Sequence, residues 1–133
     1  MEKMMTFWVG QHASAVRMVT EKDMTVISEL VLQAEAACRE PSGNQDGPRP
    51  GQELLMSSVV NGLLNICLPG PGSTLLSQQI EYLAPIVLGD TLTARVEVTA
   101  WQPEKRLITL KTDCFNQAGR QILTGQAVLA VAG

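Results

Sequence analysis

A chain of 133 residues, 45% hydrophobic and 17% charged, has the make-up of one globular domain rather than of a disordered segment. That length suffices to bury roughly two thirds of the unfolded surface, and with aromatics at only 4% the core has to come from Leu, Val, Ile, Ala and Met. A net charge of -3, with no basic run longer than Lys105-Arg106, excludes the clustered cationic surface that nucleic acid requires.

Cys38, Cys67 and Cys114 are odd in number and form no CxxC pair. Reduced thiols are therefore expected, with neither a zinc site nor a disulfide framework. The opening MEKMMTFWVG is too short an apolar run for a signal peptide and carries Glu2. No stretch has the length of a membrane span. These features predict a cytoplasmic protein without membrane, nucleic-acid, metal or cofactor partners.

In chain order, residues 13–19 (ASAVRMV) read as a short strand. Thr20 then offers a helix N-cap, with Glu21 and Asp23 well placed in the first turn. Met24, Ile27 and Val31 carry helical spacing to about residue 37. From Arg39 to Gln52 three prolines and three glycines rule out any regular element, so this is a loop.

The segment 53–68 (ELLMSSVVNGLLNICL) predicts a helix. Every fourth residue gives a wholly polar row, Glu53/Ser57/Asn61/Asn65, and two apolar rows, Leu55/Val59/Leu63/Cys67 and Met56/Val60/Leu64/Leu68. The fourth row, Leu54/Ser58/Gly62/Ile66, is mixed. A helix apolar around most of its circumference should be buried on several sides. LPGPG at 68–72 ends it.

Four strands are expected next. Residues 74–83 (TLLSQQIEYL) have mixed faces, as a central strand covered on both sides would. Residues 91–100 alternate, with Leu92, Ala94, Val96, Val98 and Ala100 on one face. Residues 107–115 and 121–131 follow the turns QPEK and NQAG, and such short links favour antiparallel pairing. The order is satisfied by an α+β hot-dog architecture over 1–133, a curved antiparallel sheet wrapped around the long 53–68 helix. Unpaired sheet edges then make a homodimer or higher homo-oligomer the expectation.

The C-terminal half, from the PGPGS turn at Pro69–Ser73 through LLSQQIEYLAPIVLGD to TLTARVEVT, resembles the MaoC-like (R)-specific enoyl-CoA hydratases. VGQHASAVRMVTEKDM, VVNGLL, the NQAG turn and LTGQAV fit the same family. The resemblance covers the chain except about residues 31–53. It implies an acyl-CoA or other acyl-thioester ligand. In that family a GDxNPxH loop supplies an Asp and a His that activate water for addition to the enoyl thioester. A His-Gly pair precedes the central helix, where a backbone N–H polarises the thioester carbonyl.

This sequence departs from the pattern at those positions. Gln33 and Cys38 stand where the resemblance puts the Asp and the His, and Gln52 and Glu53 stand for the His-Gly pair. His12 is the only histidine in the chain and reads as a surface residue beside the first strand. Asp46 reads as a turn carboxylate, and Cys38, with only Arg39 beside it, as a quiet thiol. The resemblance places acyl-thioester contacts at Gln52, Glu53, Leu54, Asn61, Ser73 and Thr74. Glu53 is the one catalytic candidate, as the water-activating acid of a hot-dog thioesterase; read structurally, it complements the helix dipole. Three functions stay open: a binding protein without the hydratase dyad, a thioesterase or displaced-site hydratase, and a structural protein.

Overall fold

The computed structural model describes residues 6–37 and 52–132. Cys38, Asp46 and the rest of the expected loop, apart from Gln52, lie outside the described residues. Seven elements follow in order: β1 (His12–Met18), α1 (Glu21–Ala37), α2 (Gln52–Ile66), β2 (Ser73–Tyr82), β3 (Thr91–Gln102), β4 (Leu107–Phe115) and β5 (Gln121–Val131).

Reciprocal bonds start α1: the Asp23 N–H donates to Thr20 Oγ1 at 3.1 Å, and the Thr20 N–H donates to Asp23 Oδ2 at 3.0 Å. This is a capping box with aspartate in the acidic position. At the other end of the helical pair, the N–H groups of Cys67 and Leu68 donate to the Leu63 carbonyl and that of Gly70 to the Leu64 carbonyl. Gly70 has φ 92°, a left-handed geometry that a side chain would strain, so the chain leaves α2 there.

The five strands form one antiparallel sheet in the order β1-β3-β4-β5-β2. Its inner face carries Leu92, Ala94, Val96 and Val98 of β3, Ile108 and Leu110 of β4, and Leu123, Ala127 and Leu129 of β5, all fully buried. Leu55, Met56, Val59, Val60, Leu63 and Leu64 of α2 close this core. At ~25 cal/mol per Å2, burying each such aliphatic side chain stabilises the fold by about 1.5–3 kcal/mol.

Three expectations are corrected. The strand read as central is the sheet edge: β2 pairs only with β5, and Leu75, Leu76 and Tyr82 are exposed. Among the described residues no strand pairs with β2 on its other side. Secondly, α2 is buried along its two apolar rows only, with Leu54 and Ile66 exposed and the row that ends at Cys67 covered only as far as Leu63. Thirdly, the β3–β4 register shifts between Val98 and Ala100. Trp101, not Ala100, then faces Ile108 and meets Phe7 edge-on at 5.0 Å between ring centroids. A bulge here re-aims the strand end to close the core.

Thr112 also lies on the inner face, fully buried, and its hydroxyl has no partner among the described residues. An unsatisfied buried hydroxyl opposes folding. Thr112→Val keeps the shape and is expected to raise stability by about 1 kcal/mol in urea unfolding; a loss of that size would show that the hydroxyl is satisfied.

Candidate functional site

The start of α2 is tied to the segment after β2. Gln52 Oε1 accepts the Ile86 N–H at 3.4 Å, while Val87 N–H donates to Asp90 Oδ2 at 2.9 Å and Val19 N–H donates to the Asp90 carbonyl. Gln117 Nε2 donates to the other Asp90 oxygen at 2.9 Å, which satisfies this buried carboxylate. The end of β1, the Asp90 turn and the first turn of α2 therefore meet at one end of the molecule.

Midway along α2, Asn61 Oδ1 accepts from Gln78 Nε2 at 2.7 Å, which joins the helix to β2. Asn61 thus has a partner within its own chain. Ser57 and Ser58 donate back to the carbonyls of Leu54 and Leu55, a local satisfaction common for helical serines. Glu53 and Leu54 are exposed, whereas a thioesterase role calls for a buried carboxylate.

Ser73 Oγ donates to the Gly70 carbonyl at 2.7 Å and closes the PGPGS turn, and Thr74 is exposed at the start of β2. Gly70 is bonded to Leu64, which at 1.5 Å per residue lies roughly 17 Å along the helix from Glu53. The sequence-expected contacts therefore split. Gln52, Glu53 and Leu54 sit at the first turn of α2 and Asn61 midway, while Ser73 and Thr74 sit at the far end.

Gln33 is exposed near the end of α1. His12 is exposed at the start of β1, its Nδ1 3.2 Å from the Gly10 carbonyl. The other end of β1 lies beside α2, where Arg17 lines a cleft with Leu55 and Ser58, and six residues of extended chain separate His12 from Met18 by about 20 Å. Among the described residues no three His, Cys, Asp or Glu side chains gather as a metal site, and no helix is long and apolar enough to cross a membrane.

The described cysteines differ sharply. Cys67 is exposed and Cys114 buried, neither in a disulfide, and burial pushes the Cys114 thiol up to about 11. In a Cys38→Ser background a thiol reagent at pH 8 is expected to label Cys67 alone, with Cys114 reacting only after denaturation. Equal native labelling of both would contradict the packing of β4.

No protein-family model matches the chain. An (R)-specific enoyl-CoA hydratase of Rhodospirillum rubrum is 31% identical over 125 residues, spanning 92% of this chain and 86% of the relative. The chain belongs to the MaoC-like (R)-specific enoyl-CoA hydratase family. The solved (R)-hydratase of Aeromonas caviae, involved in PHA biosynthesis, superposes with a TM-score of 0.79 at 30% identity, over 97% of this chain and all of that one. A hot-dog-like protein from Thermanaerovibrio acidaminovorans matches with a TM-score of 0.58 at 23% identity, over 96% of this chain and 84% of that one. The α+β sheet described above is thus a hot-dog fold.

Sequence reasoning missed the two bonds that fix α2, Gln52 to Ile86 and Asn61 to Gln78. Both join residues far apart in the chain, and no local pattern announces them.

Proposed function

We propose that this protein binds acyl-CoA or another acyl thioester at the first turn of α2 and does not carry out the family's Asp–His hydration. The ligand class follows from membership of the family, whose R. rubrum relative is an (R)-specific enoyl-CoA hydratase. One observation carries the second half. The chain's single histidine, His12, is exposed at the start of β1, the full length of the strand from the end that lies beside α2. A proton-transfer group has to lie within about 3 Å of the atom it serves, or one water away, and a side chain does not span the length of β1, about 20 Å.

In this reading the sheet curves around α2, and the acyl thioester reaches the helix N-terminus, where a free N–H meets its carbonyl. Gln52, Glu53 and Leu54 flank that point. Ser73 and Thr74, at the opposite end, meet only a ligand long enough to run the length of α2. The edge of β2, unpaired among the described residues, with exposed Leu75, Leu76 and Tyr82 and the adjoining Leu83, supports pairing of two copies there. A cytoplasmic location fits the unpaired thiols of Cys67 and Cys114.

Calorimetric titration with crotonyl-CoA tests the binding reading: a saturable heat with one site per chain is expected, and no heat at millimolar ligand sinks it. Thioester hydrolysis abolished by Glu53→Ala would replace it with the thioesterase reading. Sedimentation is expected to give a species of at least two chains.

A further inference from the structure

Asp90 is only 7% exposed, and no cation pairs with it among the described residues. Taking a carboxylate out of water opposes folding unless its oxygens find donors. Both oxygens do, from distant parts of the chain. Oδ2 accepts the Val87 N–H and Oδ1 accepts from Gln117 Nε2, each at 2.9 Å. The same Gln117 carboxamide accepts the Thr91 N–H on its Oε1 at 3.0 Å. One side-chain amide thus clamps two consecutive residues at the start of β3.

The turn between β4 and β5 closes without Gln117. Asn116 Oδ1 accepts the N–H groups of Ala118 and Arg120, the Asn116 N–H donates to the Arg120 carbonyl, and the Asn116 carbonyl accepts the Gly119 N–H. Gln117 is exposed, so it fills no core either. Its two bonds hold the Asp90 turn and, through Asp90, residues 86 and 87. The N–H groups of these neighbours go separate ways: Val87 donates to Asp90, and Ile86 donates to Gln52 Oε1 at 3.4 Å. That last bond is the longest link in the series, so a small displacement of Ile86 breaks it. A carboxamide carries its oxygen and its nitrogen on one carbon, so fixing Oε1 also fixes the direction of the two Nε2 donors.

We propose that Gln117 and Asp90 are positioning residues for the first turn of α2: acting through Ile86, they set the direction in which the Gln52 Nε2 donors meet a ligand. Neither touches that ligand. The inference rests on the acyl-thioester reading, which puts the ligand at Gln52, and it gives the β4–β5 turn a part in binding.

The test is calorimetric titration of crotonyl-CoA, well below Tm, into the parent, Gln117→Met, Gln52→Met and the double variant. Methionine keeps the length of the side chain and removes the amide. Gln117→Met is expected to weaken binding about three- to tenfold, the effect of one lost hydrogen bond. The double variant is expected to match Gln52→Met within about twofold, because the clamp has nothing to orient once the Gln52 amide is gone. The Ile86 amide should exchange faster in Gln117→Met than in the parent, and Ala118→Ser in the same turn should bind as the parent does. A clamp that only stabilises the fold would lower Tm and leave the affinity of Gln117→Met unchanged, which overturns the inference. Losses that add in the double variant also overturn it, as does weaker binding in Ala118→Ser or an Ile86 amide that exchanges as before. In all these outcomes the parent still binds crotonyl-CoA and the acyl-thioester reading stands. Failure of the parent to bind removes that reading and this inference with it.

Discussion

Crotonyl-CoA mixed with this protein is expected to lose its enoyl absorbance at least about 100-fold more slowly than with the R. rubrum hydratase assayed alongside. General acid–base groups contribute about 10^2 to 10^4 to rate, and this chain offers no imidazole near the α2 first turn. The positions that the resemblance assigns to the Asp and the His hold Gln33 and Cys38. An amide takes up no proton at neutral pH. A thiol becomes a base only with a cation or a second base beside it. The helix N-terminus can still polarise a carbonyl, so a residual acceleration is compatible with the account. Hydration within tenfold of the relative would show that other groups perform the proton transfers. His12→Ala would then be informative: with His12 at the opposite end of β1 from the end beside α2, it is expected to change nothing.

The largest stability effect is expected at Gly125. This residue lies in β5 opposite Thr112 of β4 and Ile80 of β2, on the side of the sheet that faces α2. A Cβ built there would sit 2.2 Å from the Gln79 carbonyl oxygen and 3.2 Å from the Ile80 Cα. Both are backbone atoms, so no side chain can rotate away. Either β2 moves or its pairing with β5 opens. Overpacking in a well-ordered core costs about 1–3 kcal/mol. A backbone clash this deep is at the upper end, so Gly125→Ala should cost about 3 kcal/mol in chemical denaturation. Amide exchange should locate the damage, with Gln78–Tyr82 losing protection before β3 and β4. Gly62 is the control, since a Cβ there meets nothing within 4 Å and alanine is the better helix former by up to about 1 kcal/mol. Gly62→Ala should therefore stabilise, and an unaffected Gly125→Ala protein would refute the close approach of β2 and β5.

Local rules made much of the fold legible. The alternation of Leu92, Ala94, Val96 and Val98 named the buried face of β3, and two apolar rows at helical spacing named the side of α2 that seals it. Thr20 with Asp23 marked the start of α1. What stayed hidden depends on contacts distant in the chain. The mixed pattern of β2 suits a strand covered on both sides and an edge strand that keeps apolar residues for a partner. Only its pairing with β5 separates the two. The bulge before Trp101 inserts one residue into an otherwise regular alternation, and period-two reading carries straight through it.

The residues expected at the site do not lie together. Gln52, Glu53 and Ser73 came from one reading of the sequence, yet the length of α2 holds the first two far from the third. Asn61 was expected to meet the acyl thioester, and its Oδ1 accepts from Gln78.

The central claim separates binding from the family's reaction, and one measurement addresses both. The protein is incubated with crotonyl-CoA, passed quickly through a desalting column, and the CoA species that travels with it is identified by mass. Intact crotonyl-CoA is expected to travel with the chain. Bound 3-hydroxybutyryl-CoA would contradict the loss of hydration, and a protein fraction free of any CoA species would contradict the binding.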